Sequence, residues 1–114
     1  MHKIFAVPFA SVYPLYVTKV EKKSRSKDEL DLVLKWLTGF TQKQLEKHIS
    51  TGSTLTEFFD SATINENAPL ITGVICGVRI EDLEDPLMKK IRYMDKLVDE
   101  LSKGRPLEKI LRQK

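Results

Sequence analysis

Apolar residues recur along this chain mostly at steps of three and four, the spacing of a helix face rather than a strand. The longest such pattern follows Asp85-Pro86. Leu87, Ile91, Met94, Val98 and Leu101 succeed one another at intervals of four, three, four and three, and Met88 and Leu97 widen the stripe. Asp85 suits the cap of this helix, and Pro86 its first position, where the missing N–H has no partner to lose. Gly104 is expected to end it. A helix over Pro86–Leu101 is therefore the expected central element.

Three earlier helix starts share one chemistry. Ser26-x-x-Glu29, Thr41-x-x-Gln44 and Thr54-x-x-Glu57 are capping boxes, in which a hydroxyl and a carboxyl or amide satisfy each other's orphan N–H groups. The first helix should bury Leu30, Val33, Leu34 and Leu37 and stop at Gly39. The second should turn Leu45 and Ile49 inward and stop at Gly52. The third should send Leu55, Phe58 and Phe59 into the core. Both glycines suit the left-handed conformation that closes a helix. At the start of the chain, Ile4, Phe5, Val7 and Phe9 read as an extended apolar lead. Ser11 is then expected to cap a helix with Pro14 in its first turn, and Val12, Leu15, Tyr16, Lys19 and Val20 on one face. Pro106 opens a last short helix docked by Leu107, Ile110 and Leu111.

The segment Leu70–Ile80 fits two patterns. Ile71, Val74, Ile75 and Val78 suit a helix, with Gly73 and Gly77 allowing close approach of a neighbour. Leu70, Thr72, Val74, Cys76, Val78 and Ile80 alternate as a strand face would. The helix is favoured, because few other strand candidates exist to pair with it. The expected fold is a mainly α, single-domain bundle over residues 1–114, of about six or seven short helices; α+β is the alternative if Leu70–Ile80 is a strand.

Composition narrows the function classes. Hydrophobic residues make up 41% and charged residues 31% of the 114, as in folded globular chains and unlike disordered ones. The net charge of +3 comes from 19 basic residues mixed among 16 acidic ones, too even a balance for an obligate nucleic-acid binder. Cys76 is the single cysteine, so no internal disulfide and no all-cysteine metal site can form. Pro8 and Pro14 interrupt the apolar start, which argues against a secretory peptide. No run approaches the roughly 20 apolar residues of a membrane span. A cytoplasmic location without a membrane partner is expected.

Several stretches taken together resemble a known family. They are FAVPFASVYPLYV near the start, the turn WLTGF, the run ITGVICGVRIEDLEDPLM and the string IRYMDKLVDEL followed by KG. Together they resemble the bacterial domain-of-unknown-function family number 2200, over nearly the whole chain and most specifically from Ile71 to Leu101. The resemblance implies a small, stand-alone cytosolic bacterial protein. It brings no activity, cofactor or catalytic residue to place on these positions.

Candidate chemistry is sparse. FTQKQLEKHISTGSTLTEFF, residues 40–59, has a helix-turn-helix layout, but its second helix carries Glu57 and Asp60 and no lysine or arginine. That is the wrong sign for phosphate. The basic ends Lys19–Lys27 and Lys103–Lys114 offer a candidate patch of Lys22, Lys23, Arg25, Lys27, Arg105, Lys109 and Arg112, without interleaved aromatic residues for base stacking. Among His2, His48, Cys76 and the acids Glu81, Asp82, Glu84 and Asp85, no metal-binding spacing occurs, and no metal or cofactor is expected. Cys76 reads as a small buried hydrophobe.

A candidate polar site comprises Arg79, Asp82, Asp85, Arg92, Tyr93 and Asp95. Asp95 and Asp99, four apart, need cations nearby, and Arg92 and Lys96 are the expected ones. No nucleophile elbow, phosphate loop or triad order is present. Trp36, Phe40, Tyr13 and Tyr93 lie off the main stripes and suggest an interface. The favoured role is thus a non-enzymatic interaction or regulatory protein with a protein partner or as a homodimer. Nucleic-acid binding through the basic ends ranks second, and an enzyme using the Arg79–Asp99 surface third.

Overall fold

The computed structural model describes residues 3–113. Six α-helices and a two-stranded hairpin follow in order: α1 (Phe9–Glu21), α2 (Lys27–Thr38), α3 (Gln42–Thr51), α4 (Leu55–Asp60), β1 (Val74–Ile75), β2 (Val78–Arg79), α5 (Pro86–Ser102) and α6 (Leu107–Ile110). Short 3-10 turns cover Lys3–Ala6, Ala68–Leu70 and Ile80–Asp82. The fold is mainly α, as expected. α5 is the hub, packed by α1, α2, α4, α6 and the hairpin. Its stripe of Ile91, Met94, Leu97, Val98 and Leu101 is buried in one continuous core with Phe9, Leu30, Leu34, Leu37, Phe58 and Phe59.

Local chemistry sets most helix ends where the spacing predicts. All three capping boxes form in both directions: Glu29, Gln44 and Glu57 N–H donate to Ser26, Thr41 and Thr54 hydroxyls, and the N3 side chains accept in return. Asp85 Oδ1 accepts from the N–H groups of Leu87 (2.9 Å) and Met88 (3.1 Å), with Pro86 in the first turn. Gly39 closes α2 at φ 75°, where an added Cβ would sit 3.0 Å from the Thr63 carbonyl oxygen. Only glycine meets both demands.

Two expectations fail near the N-terminus. Residues Lys3–Ala6 form a 3-10 turn against α4 rather than an extended lead. α1 starts at Phe9, not after a Ser11 cap, because tertiary contacts replace the missing cap. Pro8 pairs with Thr54 as an isolated bridge, and Phe9 N–H donates to Ser53 O at 2.8 Å. Pro14 consequently lies inside the helix. The buried face is also rotated: Phe9, Tyr13, Tyr16 and Val20 go inward, while Leu15 stays 69% exposed.

Leu70–Ile80 is neither the favoured helix nor one alternating strand. Val74 pairs with Arg79 and Ile75 with Val78 around a Cys76-Gly77 turn. Both turn residues have positive φ, 52° and 78°, the tight hairpin connection that matches strand twist. Two glycines penalise a helix here by about 1 kcal/mol each. Within residues 70–80 of the structure only Ile71 and Ile80 are fully buried. Cys76 is correspondingly exposed, not a buried hydrophobe.

Candidate functional site

The predicted polar site divides. Arg92 and Asp95 pair on α5, Arg92 Nη1 to Asp95 Oδ2 at 2.8 Å. The Tyr16 hydroxyl from α1 donates to Asp95 Oδ1 at 2.6 Å, and Cys76 Sγ approaches Oδ2 to 3.9 Å. Burial, then the Asp95 charge, push the Tyr16 phenol well above its ordinary value. Tyr16 and Cys76 were invisible to sequence spacing, since 79 residues separate Tyr16 from Asp95. Lys96 does not neutralise the acids as expected. Its ammonium donates to Val74 O at 3.2 Å and fastens the hairpin. Asp99 is instead held by Lys19 (3.2 Å) and Lys103 (2.9 Å). Asp95 and Asp99 are both paired within the molecule, so this cluster reads as the seam between α1, α5 and the hairpin. Asp82 and Arg79 are exposed on the hairpin side, and Asp85 is spent on its cap.

The basic ends do meet. Arg25 Nη1 donates to Arg105 O at 2.9 Å, which brings the two segments together. The arginine charges are matched locally, however. Arg25 pairs with Glu29 (2.9 Å), and Arg105 (2.9 Å) and Arg112 (2.6 Å) converge on the buried Glu100. Lys27 pairs with Asp31, while Lys22, Lys23 and Lys109 carry no ion pair among the described residues. His2 and Lys114 lie outside the described residues. Within the helix-turn-helix-like stretch, Phe58 and Phe59 are wholly buried, so α4 packs rather than presents a reading face.

Tyr93 sits apart from Asp95, in a groove of about 290 Å³ between residues 64–69 and the first turns of α5. Ile64, Ala68, Pro69 and Pro86 line it, with Lys89 and Lys90 at its edge and Glu66 the single acid. Burial alone raises the Tyr93 phenol, with no hydrogen bond contributing. The other off-stripe aromatics pack against the core. Tyr13 and Phe40 are buried, and Trp36 packs half-buried against the same core. Such residues were expected to exceed the core's needs; a domain this small uses them to fill it.

A second groove, of about 310 Å³, was missed. Phe40, Gln44, Lys47, His48, Thr51, Ser53 and Ser61 line it. His48 Nδ1 lies 2.8 Å from Ser53 Oγ, and Nε2 lies 3.2 Å from Ser61 Oγ. The ring is held between Phe40 (4.7 Å) and Phe58 (5.3 Å). Burial, then the Lys47 charge, lower the imidazole below its ordinary value. Ser53 stands five residues after His48, a spacing that could have drawn notice only with the intervening Gly52 turn in view.

Among the described residues no three His, Cys, Asp or Glu side chains gather to hold a metal ion, and no helix is long and apolar enough to cross a membrane. A comparison with curated proteins yields no match. Among solved structures, the crystal structure of uncharacterized protein SP1917 is similar at 37% identity, covering 100% of this chain and 98% of that one with a TM-score of 0.92. The family described as an uncharacterized protein conserved in bacteria, domain of unknown function 2200, matches residues 3–112, and the chain belongs to that family.

Proposed function

We propose that this protein is an interaction module whose Tyr93 groove takes an acidic peptide segment of a partner protein, anchored by one apolar side chain. The groove itself supports the reading most directly. Its floor is apolar, and two ammonium groups and a phenol hydroxyl stand around it against the one carboxylate of Glu66. Three donors against one acid favour a partner rich in carboxylates. At about 290 Å³ it falls just below the roughly 300–1,000 Å³ of small-molecule pockets, a size for one anchoring side chain. Leu70, 42% exposed and next to Pro69, extends the apolar surface. A cytoplasmic setting accords with the lone, unpaired Cys76.

An NMR titration tests this with an Asp/Glu-rich peptide carrying one leucine or phenylalanine, alongside its lysine-substituted counterpart. The acidic peptide should shift the amides of Ala68, Lys89, Lys90 and Tyr93, and the double variant Lys89→Glu, Lys90→Glu should lose the effect while staying folded. Equal binding of both peptides, or none, would overturn the reading. Light scattering in the same samples distinguishes a second copy of the chain as the occupant.

Nucleic-acid binding at the basic ends is the second reading, favoured by the Arg25–Arg105 contact that joins them. Anisotropy with labelled duplex DNA and single-stranded RNA should then fall log-linearly with salt. Absence of binding at low salt would discard it.

A further inference from the structure

We infer that the His48 groove is an acyl-transfer site for a small carboxylic ester, with Ser53 as nucleophile and His48 as its base. The inference rests on a groove separate from the Tyr93 groove, and either can fail without the other. Three features of an activated serine coincide there.

The first is proton direction. Ser61 Oγ lies 2.9 Å from the Glu57 carbonyl and 3.2 Å from that of Phe58, so its proton goes to the backbone. Facing His48 Nε2, it can only accept, which places the ring proton on Nε2. Nδ1 is then a bare lone pair, 2.8 Å from Ser53 Oγ, and receives the Ser53 proton. Thr51 Oγ1, whose own proton goes to Lys47 O at 2.8 Å, is the other acceptor open to Ser53 Oγ, but at 3.3 Å it is the longer and weaker one beside Nδ1. Ser61 is therefore a positioning residue that sets the tautomer.

The second is rigidity. Gly52 closes α3 in the left-handed conformation, and Ser53 N–H donates back to His48 O at 3.2 Å, folding the serine over the ring. The Ser53 carbonyl accepts from Phe9 N–H, and Leu55 N–H donates to Val7 O at 2.9 Å, so the loop is pinned on both sides. Phe40 and Phe58 hold the imidazole plane. Little reorganisation separates this geometry from the attacking one.

The third is access. Ser53 is half-buried in an open groove that also holds Lys47 and the Gln44 amide. Gln44 Oε1 is occupied by the Thr41 N–H at 2.9 Å, which leaves its NH2 as a donor. Lys47 and this NH2 are the groups able to meet a developing oxyanion. The lowered imidazole stays neutral near pH 7 and competent as a base.

In the reaction, Ser53 Oγ bonds to the ester carbonyl carbon while its proton passes to His48 Nδ1. The carbon–alkoxy bond breaks and the alcohol departs with that proton. Water then adds to the acyl carbon while giving a proton to His48; the acyl–Oγ bond breaks, Ser53 Oγ takes that proton back from His48, and the carboxylic acid is released.

The experiment uses a fluorophosphonate probe, which is attacked by the serine oxygen with loss of fluoride, and intact and peptide mass spectrometry. One adduct on Ser53 is expected in the native chain, absent in Ser53→Ala and slowed about a hundredfold in His48→Gln. Ser61→Ala should slow labelling, and Ser61→Thr, which keeps the hydroxyl, should restore it. The same chain unfolded in urea sets the rate of an unactivated serine and needs no variant to fold. Native labelling no faster than in urea, an adduct on Lys47 instead, or equal rates in folded His48→Gln would each overturn the assignment.

Discussion

Single residues in this protein act through pairings that the chain order conceals. Asp31 is buried, yet it accepts from Tyr13 of α1 and from Gln42 at the start of α3 (3.0 Å) and pairs with Lys27 at 3.2 Å. One carboxylate thereby ties three helices, and burial together with the Asp31 hydrogen bond pushes the Tyr13 phenol up to about 12. His48 shows the opposite response, a base held neutral by burial. Its folded value lies below the ordinary 6.5, so the unfolded chain takes up the proton more readily. Its contribution to stability is whole above that value and is lost as pH falls through 6.5 toward the lower folded value. Lys47 adds to this depression and Glu57 opposes it. The urea midpoint should therefore drop between about pH 7.5 and about pH 5, and His48→Gln should flatten that part of the profile. An unchanged slope in the variant would mean that another group carries the dependence.

At the scale of elements, helices α2, α3, α4 and α5 begin where local rules put them. Each cap needs only atoms within four residues, and three capping boxes plus Asp85-Pro86 supply them. α1 and the hairpin break this pattern. The start of α1 depends on Ser53 and Thr54, more than forty residues away, and the hairpin on Lys96 reaching Val74 O. The same distance hid the Tyr16–Asp95 contact. Asp95→Ala would leave the buried Tyr16 hydroxyl and the Arg92 guanidinium, whose Nε already lacks a partner, without an acceptor. The expected cost is about 2 kcal/mol, against about 1 kcal/mol for Tyr16→Phe. Thermal or urea unfolding of both single variants and the double should show non-additive losses. Strict additivity would mean the two side chains act separately. Asp95 is therefore expected to do more than decorate the polar face of its helix.

Across the whole molecule, the chain end is fastened through Glu100. Its carboxylate, 8% exposed, holds Arg112 by two bonds of 2.6 and 2.8 Å and Arg105 by a third, and Asn67 adds a bond to Arg112 O at 3.1 Å. Glu100→Gln should cost about 3 kcal/mol, since it strands the largely buried Arg112 charge. Hydrogen exchange should quicken first in α6 and at residues 64–70, and a uniform change instead would argue against a local latch. The same pairing withdraws Arg112 from the surface and neutralises the still exposed Arg105, both of which sequence counting had credited to a basic patch.

The amino-acid sequence by itself determined the mainly α class, the central amphipathic helix and most helix ends, because periodicity and capping are short-range effects written in residues three or four apart. It also marked Tyr93 and Arg92 as worth attention, without the reason. Tertiary structure alone decided which aromatics complete the core, where α1 starts, that residues 74–79 form a hairpin, and which charges cancel. It also brought His48, Ser53 and Ser61 into one groove. Those outcomes depend on contacts between distant segments, where burial and hydrogen-bond satisfaction outweigh the fraction of a kcal/mol that local preference supplies.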